Sequence, residues 1–321
     1  MSDAQATSSD AAGKIVGVGR ALGSRVVTNH DFEKTLDTDD AWIVERTGIK
    51  ERHFVAEDED CATLAMDASK EALEQAGLKG EAVDLILCAT STAPESMPSV
   101  SCLVGEAIGA PGVGAMDITA ACAGYSYAAS VAGSMMKSGA AKRVLLVGAD
   151  AMTKVVDLKE RSTAVLFGDG AGAVVLERGS GESGFVDHIL GADGRMASLL
   201  RAGHPGADEK LYQNGREVFK FAARIFPEMV EKLLARNGVE PAEIQYIIPH
   251  QANLRIIQAA VRRMEIPEEK IVVNLGRFGN TSAASIPISY PDIFDSFEPG
   301  KYMITVGFGG GLTWAANLYR I

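Results

Sequence analysis

Cys122 lies in Asp117-Ile118-Thr119-Ala120-Ala121-Cys122-Ala123-Gly124-Tyr125-Ser126, between an apolar stretch and a run of small residues that reaches Met136. That run is rich in Ala and Ser and poor in turn formers. It predicts a buried helix with Cys122 near its first turn. Unpaired backbone N–H groups and the positive end of the helix dipole favour a thiolate there. Two roles are open to this cysteine: nucleophile, or small buried hydrophobe. Residues 245–253 read as an apolar strand ending in His250, and residues 274–285 as a Gly-punctuated loop, containing Asn280, that runs into a small-residue helix. A His at the carboxyl end of a strand, facing a crevice, is a usual place for chemistry in α/β proteins. Taken singly, the two are a capped loop histidine and an asparagine held in a turn. With Cys122 they form a Cys, His, Asn set, distant in sequence, suited to nucleophilic catalysis at one shared site.

The elements that must bring these residues together alternate along the chain. Strand-like runs are expected at 14–18, 85–89, 144–147, 164–167 and 173–176, then at 245–249, 271–274, 303–306 and 313–319. Amphipathic helices are expected between them, for example over 62–75, 217–236 and 254–264. This is α/β patterning. The halves echo each other: Phe167-Gly168-Asp169-Gly170-Ala171-Gly172 and Phe308-Gly309-Gly310-Gly311 each precede an apolar run. A strand, a Gly turn and a closing strand once per half suggests an internal duplication. The expected division is a disordered N-terminal tail over 1–13, a first half over 14–180 and a second over 181–321.

Composition excludes several classes. At 321 residues the chain is long for one core, so two domains of similar size are expected. No apolar run approaches the ~18–20 residues that span a bilayer. The N-terminus has no positive region or apolar core, so a secretory signal is not expected there. The four cysteines, Cys61, Cys88, Cys102 and Cys122, have no C-x-x-C pairing. A reducing cytoplasm fits them better than a disulfide framework or a zinc site. A formal charge of −11 argues against nonspecific nucleic-acid binding. Gly168-x-Gly170-x-Gly172 lacks the spacing and the following helix of a dinucleotide fingerprint. Ser134-Met135-Met136-Lys137 has no companion motif of a penicillin-recognising enzyme. The other histidines have no partners at metal-ligand spacing.

The segments Asp40-Ala41-Trp42-Ile43-Val44-Glu45-Arg46-Thr47-Gly48-Ile49, the one around Cys122, and Phe167-Gly168-Asp169-Gly170-Ala171-Gly172 occur in order. They are followed by Pro249-His250-Gln251-Ala252-Asn253, Gly279-Asn280-Thr281-Ser282-Ala283-Ala284-Ser285 and Phe308-Gly309-Gly310-Gly311-Leu312-Thr313-Trp314. In these motifs the chain resembles the β-ketoacyl-acyl-carrier-protein synthase III family, the initiating condensing enzymes of bacterial fatty-acid synthesis. Only about the first dozen residues lie outside the resemblance. It implies the thiolase fold, five αβαβα layers built from two duplicated halves. It also implies decarboxylative condensation of a short acyl-CoA with malonyl-acyl-carrier protein through an acyl-Cys122 intermediate, without a metal or cofactor.

The resemblance assigns further roles. His250 and Asn280 would donate to the enolate oxygen, and the backbone N–H groups of Cys122 and Gly310 would form the oxyanion hole. Trp42, Arg46 and Arg161 would hold the coenzyme A nucleotide, and Asn253 the pantetheine arm. Lys220, Arg255, Arg262 and Arg263 would dock the acidic carrier protein. From the residues alone, Arg255, Arg262 and Arg263 could equally be a solvated helix face, Trp42 core packing, and Arg46 and Arg161 surface ion pairs. In a homodimer, Met97 would close the partner's acyl pocket, where the best-known members have Phe. Arg216 replaces a more usual Asn and carries no assigned role. Two other readings remain open: a same-fold condensing enzyme of secondary metabolism with a different starter or acceptor, and a noncatalytic binding homologue.

Overall fold

The computed structural model describes residues 12–179 and 183–321. Residues 1–11 of the expected tail and residues 180–182 at the expected boundary lie outside the described residues. In the first half, strands β1 (Lys14–Leu22), β4 (Leu85–Ala89), β5 (Gly114–Ile118), β6 (Arg143–Ala151) and β7 (Asp169–Glu177) form a sheet in the order β1-β7-β6-β4-β5. β2 (Arg25–Thr28) and β3 (Glu51–Phe54) form a separate two-stranded antiparallel sheet. In the second half, β8 (Gly184–Ala192), β11 (Ile244–Pro249), β12 (Tyr302–Gly309) and β13 (Thr313–Arg320) form a sheet in the order β11-β12-β13-β8. Short strands β9 (Leu200–Arg201) and β10 (Tyr212–Gln213) pair as a flap.

The sheets repeat one pattern. β1 runs antiparallel to β7, β7 antiparallel to β6, and β6 parallel to β4. β8 stands in the same relation to β13, β13 to β12, and β12 to β11. The Gly124–Lys137 helix packs between the sheets, touching β4 and β6 on one side and β8, β12 and β13 on the other. The Cys61–Gln75 and Val100–Ala107 helices cover the outer face of the first sheet, and the Gly215–Asn237 and Leu254–Val261 helices that of the second. The result is five layers with an apolar core at each helix–sheet junction. Covering both faces explains the continuous apolar stretches 144–147 in β6 and 173–176 in β7.

Several expected elements differ. Residues 164–167 are not a strand: Arg161–Ala164 is a short helix whose first turn is capped by the Glu160 carboxylate accepting from Ser162 N at 3.0 Å. A turn follows, and Phe167 makes only a single bridge to Asn280. Residues 271–274 are irregular apart from one bridge between Ile271 and Ile247. Gly170 and Gly172 lie inside β7 and are not a hairpin turn. A Cβ on Gly168 would meet Phe278 O at 2.4 Å, and one on Gly172 would meet Ile288 N at 2.4 Å. These glycines let the segment carrying Asn280 pass against the strand. The expected small-residue helix after Asn280 is a 3-10 turn, Ser282–Ala284. The basic helix ends at Val261, with Arg262 as its C-cap.

Candidate active site

Cys122 follows β5 in a 3-10 turn, Ala121–Ala123, that leads directly into the Gly124–Lys137 helix. Ala121 holds a φ of +48°, a left-handed conformation costly for a residue with a Cβ. The turn is kept sharp by β12 behind it. A Cβ on Gly309 would lie 2.7 Å from Cys122 N, and one on Gly307 would lie 2.9 Å from Ala123 Cα. Cys122 is therefore one turn before the regular helix and buried. Burial pushes its thiol up to about 12, against the pull of a hydrogen bond from Ser282 Oγ (3.4 Å) and of its own backbone N–H. The expected resting thiolate is thus replaced by a neutral thiol, because desolvation outweighs the donors.

His250 sits just past β11, where its N–H continues the parallel ladder to Val306 O at 2.7 Å. The ring is buried edge-on against Phe308, with centroids 5.3 Å apart. Burial pushes it down to about 3, so the imidazole is neutral. Its Nδ1 lies 2.7 Å from Ser285 Oγ. That oxygen also accepts from Gln251 N at 3.4 Å. With Ser285 Oγ donating to Nδ1, the ring proton stands on Nε2; this is the tautomer that the donor role of His250 requires.

Asn280 is buried and stitched by its backbone to the 166–168 strap. Its N–H donates to Leu166 O at 2.8 Å, and its carbonyl accepts from Gly168 N at 3.0 Å. Its Oδ1 accepts from Ser282 N at 2.9 Å, so the amide presents its Nδ2 hydrogens elsewhere. Ser282 has a φ of +51°, a second strained position beside the thiol. The buried carboxylate of Asp150, at the end of β6, accepts from Ala283 N at 3.0 Å, Ser91 N at 2.8 Å and Thr92 Oγ1 at 2.9 Å. It anchors the Asn280 turn to the first sheet, and burial pushes it up. The sequence reading did not single out Ser282, Ser285 or Asp150. The two serines stood in the quoted motif; Asp150 carried no signal at all.

Cys122, His250, Asn280, Asn253 and Gly310 all line one cavity of about 550 Å³. Its remaining walls are mainly apolar, from Phe167, Leu200, Phe219 and Phe308 among others. Gly310 borders Leu200 and Ala121, whereas Gly309 lies directly on the cysteine turn. Asn253 caps the Leu254–Val261 helix by accepting from Arg255 N at 2.8 Å, and donates to Arg46 O at 3.1 Å. Arg46 is thereby joined to the cavity wall. Two guanidinium groups lie against the Trp42 ring, Arg46 at 4.8 Å and Arg161 at 4.7 Å from the centroid. This stack lies outside the cavity lining.

Arg255 pairs with Glu45 at 3.4 Å, Lys220 with Glu217 at 2.7 Å, and Arg263 donates to Ala223 O at 3.2 Å. The last contact brings the end of the basic helix beside the helix that carries Lys220. Met97 is 78% exposed and does not line this chain's cavity. Among the described residues, no group of three or more His, Cys, Asp or Glu could hold a metal ion. None of the described helices is long and apolar enough to cross a membrane.

Residues 116–194 match the family model for 3-oxoacyl-[acyl-carrier-protein] synthase III, and residues 234–321 match its C-terminal model. The chain is 73% identical over 310 residues to the β-ketoacyl-[acyl-carrier-protein] synthase III of Rubrobacter xylanophilus, covering 96% of this chain and 98% of that one. The crystal structure of 3-oxoacyl-[acyl-carrier-protein] synthase III from Aquifex aeolicus superposes with a TM-score of 0.92 at 45% identity, covering 96% of this chain and 100% of that one. The priming β-ketosynthase of the R1128 polyketide pathway also superposes with a TM-score of 0.92, at 31% identity, covering 99% and 98%.

Proposed function

The chain belongs to the β-ketoacyl-[acyl-carrier-protein] synthase III family, and from that premise we propose that Cys122, His250 and Asn280 carry its reaction. The enzyme is an acyltransferase of the thiolase fold. It condenses a short acyl-CoA with malonyl-acyl-carrier protein to give 3-ketoacyl-acyl-carrier protein, CoA and CO2, the initiating step of fatty-acid synthesis. The higher identity to the Rubrobacter enzyme favours this over a role in secondary metabolism. The intact Cys, His, Asn set speaks against a noncatalytic role.

The chemistry runs in three steps. Cys122 Sγ forms a bond to the thioester carbonyl carbon, the C–S bond to CoA breaks, and the CoA thiolate takes up the cysteine proton. The malonyl C–CO2 bond then breaks, and its electron pair becomes an enolate held by His250 Nε2–H and Asn280 Nδ2–H. Two neutral donors stabilise that charge without surrendering a proton. Finally the enolate carbon attacks the acyl-Cys122 carbonyl, the oxyanion is held by the Cys122 and Gly310 N–H groups, and its collapse breaks the C–S bond and expels the Cys122 thiolate, which takes one proton from solvent to restore the thiol. One observation carries this reading. Ser282 N occupies Asn280 Oδ1, which leaves the Nδ2 hydrogens for the cavity shared with the thiol, and with Ser285 Oγ donating to Nδ1 the His250 ring adds its Nε2–H to the same cavity.

The stack of Trp42 with Arg46 and Arg161 supports a grip on the adenine of CoA, with Asn253 beside the pantetheine arm. Lys220 and Arg255, exposed on neighbouring helices, and Arg262 and Arg263, exposed in the turn that ends the second of them, suit an acidic carrier protein. Homodimerisation fits the edge strand β5, whose Met116 is 42% exposed. Asp117 of that strand accepts from Val100 N at 2.7 Å, which holds the segment after Met97 beside the edge. All four cysteines are free thiols, which suits a cytoplasmic enzyme.

The test is acyl loading. Mass spectrometry after acetyl-CoA treatment should find the adduct on Cys122, and Cys122→Ser should abolish it, since an unactivated hydroxyl is a poor nucleophile. An adduct on Cys61, Cys88 or Cys102 instead would overturn the assignment.

A further inference from the structure

Arg52, in β3, is a fully buried arginine whose hydrogen bonds all go to neutral oxygens. Nη1 donates to Val27 O at 3.2 Å and to Asn29 Oδ1 at 2.8 Å, and Nη2 donates to Val165 O at 2.7 Å. The guanidinium lies over Phe32, 4.9 Å from the ring centroid, and its Nε has no partner. A buried charge without a carboxylate is costly, so its surroundings matter.

Those surroundings are the two supports of the Trp42 stack. On one side, Val165 immediately follows the short Arg161–Ala164 helix that carries Arg161. On the other, Asn29 accepts from Arg52 and donates through Nδ2 to Asp40 Oδ1 at 2.8 Å and to Ile49 O at 2.8 Å. Asp40 and Ile49 bracket the Asp40–Thr47 helix that carries Trp42 and Arg46. Val165, Ala164 and Phe32 form one apolar cluster against which Trp42 packs. Arg161 also reaches across to Asp37 O at 2.6 Å, so the supports touch at the surface as well as through the interior.

We propose that Arg52 is a positioning residue for the nucleotide end of the acyl-CoA: through Val165 on one side and Asn29 on the other, it holds Trp42 and Arg161 at stacking distance. The inference rests on the reading of the Trp42 stack as the nucleotide grip. Only a forked, planar donor can bridge both supports at once; a lysine ammonium keeps the charge but not the span. Substrates that lack the nucleotide do not use the stack, so they should be indifferent to the tether.

The experiment compares Cys122 loading from acetyl-CoA with loading from acetyl-N-acetylcysteamine, a thioester without the nucleotide. Arg52→Lys, Asn29→Ala and Trp42→Ala are assayed beside the parent. Asn29→Ala cuts the same tether from the other side and leaves Arg52 in place, so it serves if Arg52→Lys does not fold. The expected result for Arg52→Lys and Asn29→Ala is a rise of about tenfold in KM for acetyl-CoA, the worth of one cation–π contact. The loading rate at saturating acetyl-CoA, and kcat/KM for the short thioester, should stay within about twofold of the parent. Equal losses on both thioesters would mean that Arg52 only supports packing, and would overturn the inference. A CoA-specific loss in Trp42→Ala but in neither tether variant would also overturn it, while leaving the nucleotide grip intact. No CoA-specific loss in Trp42→Ala would remove the grip, and the inference with it.

Discussion

His250 is kept neutral by burial alone, and that decides both its chemistry and its effect on stability. With a folded-state pKa of about 3 against about 6.5 when unfolded, the unfolded chain binds one more proton between those values. The contribution is therefore complete above about pH 6.5 and is lost as pH falls toward 3, by at most ~1.4 kcal/mol per pH unit. Urea midpoints at pH 7 and pH 4.5 should differ less in His250→Gln than in the parent; an equal difference would assign the acid sensitivity elsewhere. As a donor that never titrates near neutrality, His250 should act together with Asn280. His250→Ala and Asn280→Ala should each lower malonyl decarboxylation by ~10²–10³, while Cys122 still accepts an acyl group. Loss of loading and decarboxylation to the same extent would contradict the donor roles.

The basic helix and its neighbour act as a surface whose charges are already partly engaged. Arg255 and Lys220 hold exposed ion pairs, which are weak and screened by salt. A carrier-protein carboxylate can exchange into such pairs at little cost. Reversing Arg262 or Arg255 to Glu should raise KM for malonyl-acyl-carrier protein about fivefold, the worth of one exposed ion pair of ~1 kcal/mol. Added salt should have the same effect on the parent, and loading from acetyl-CoA should change less. Equal impairment with a malonyl thioester of a small carrier mimic would point to a folding defect instead. The same helix illustrates where element boundaries come from. Its apolar positions Ile256, Ile257 and Ala260 are buried, but Val261 and Met264 only lean on the core, and the regular helix stops between them.

At the scale of the whole molecule, Met97 is an exposed methionine beside an open sheet edge, away from its own cavity. In a dimer through that edge it would close the acyl pocket of the neighbouring subunit. Methionine can fold aside where a rigid phenyl cannot, so the pocket should accept longer or branched starters. Met97→Phe should shift competitive loading toward acetyl-CoA, and Met97→Ala toward longer chains. The change should be graded, at ~1–3 kcal/mol per methylene. An unchanged length profile in both variants would show that Met97 does not reach the pocket.

Much of this was legible in the sequence because it is written in local terms. The 3.6- and 2-residue periodicities located most of the helices and strands, and the Cys122, His250 and Asn280 motifs stood out by residue type. The misread segments share one physical cause. Neither 164–167 nor 271–274 pairs in a sheet: the first is apolar because it is buried beside the site, the second touches β11 only through Ile271 and leaves Val273 exposed, and single-bridge contacts leave no periodicity. Gly170 and Gly172 resembled a turn but are strand positions emptied for the close passage of the Asn280 segment. Only the tertiary structure decided the protonation of the site, since burial depends on every surrounding layer: it raises the Cys122 thiol and lowers the His250 imidazole together. The residues that aim the site, Ser285, Asp150 and Arg52, act through hydrogen bonds spanning 35, 133 and 113 positions of the chain. No spacing in the sequence can encode partners that only the fold brings within 3 Å.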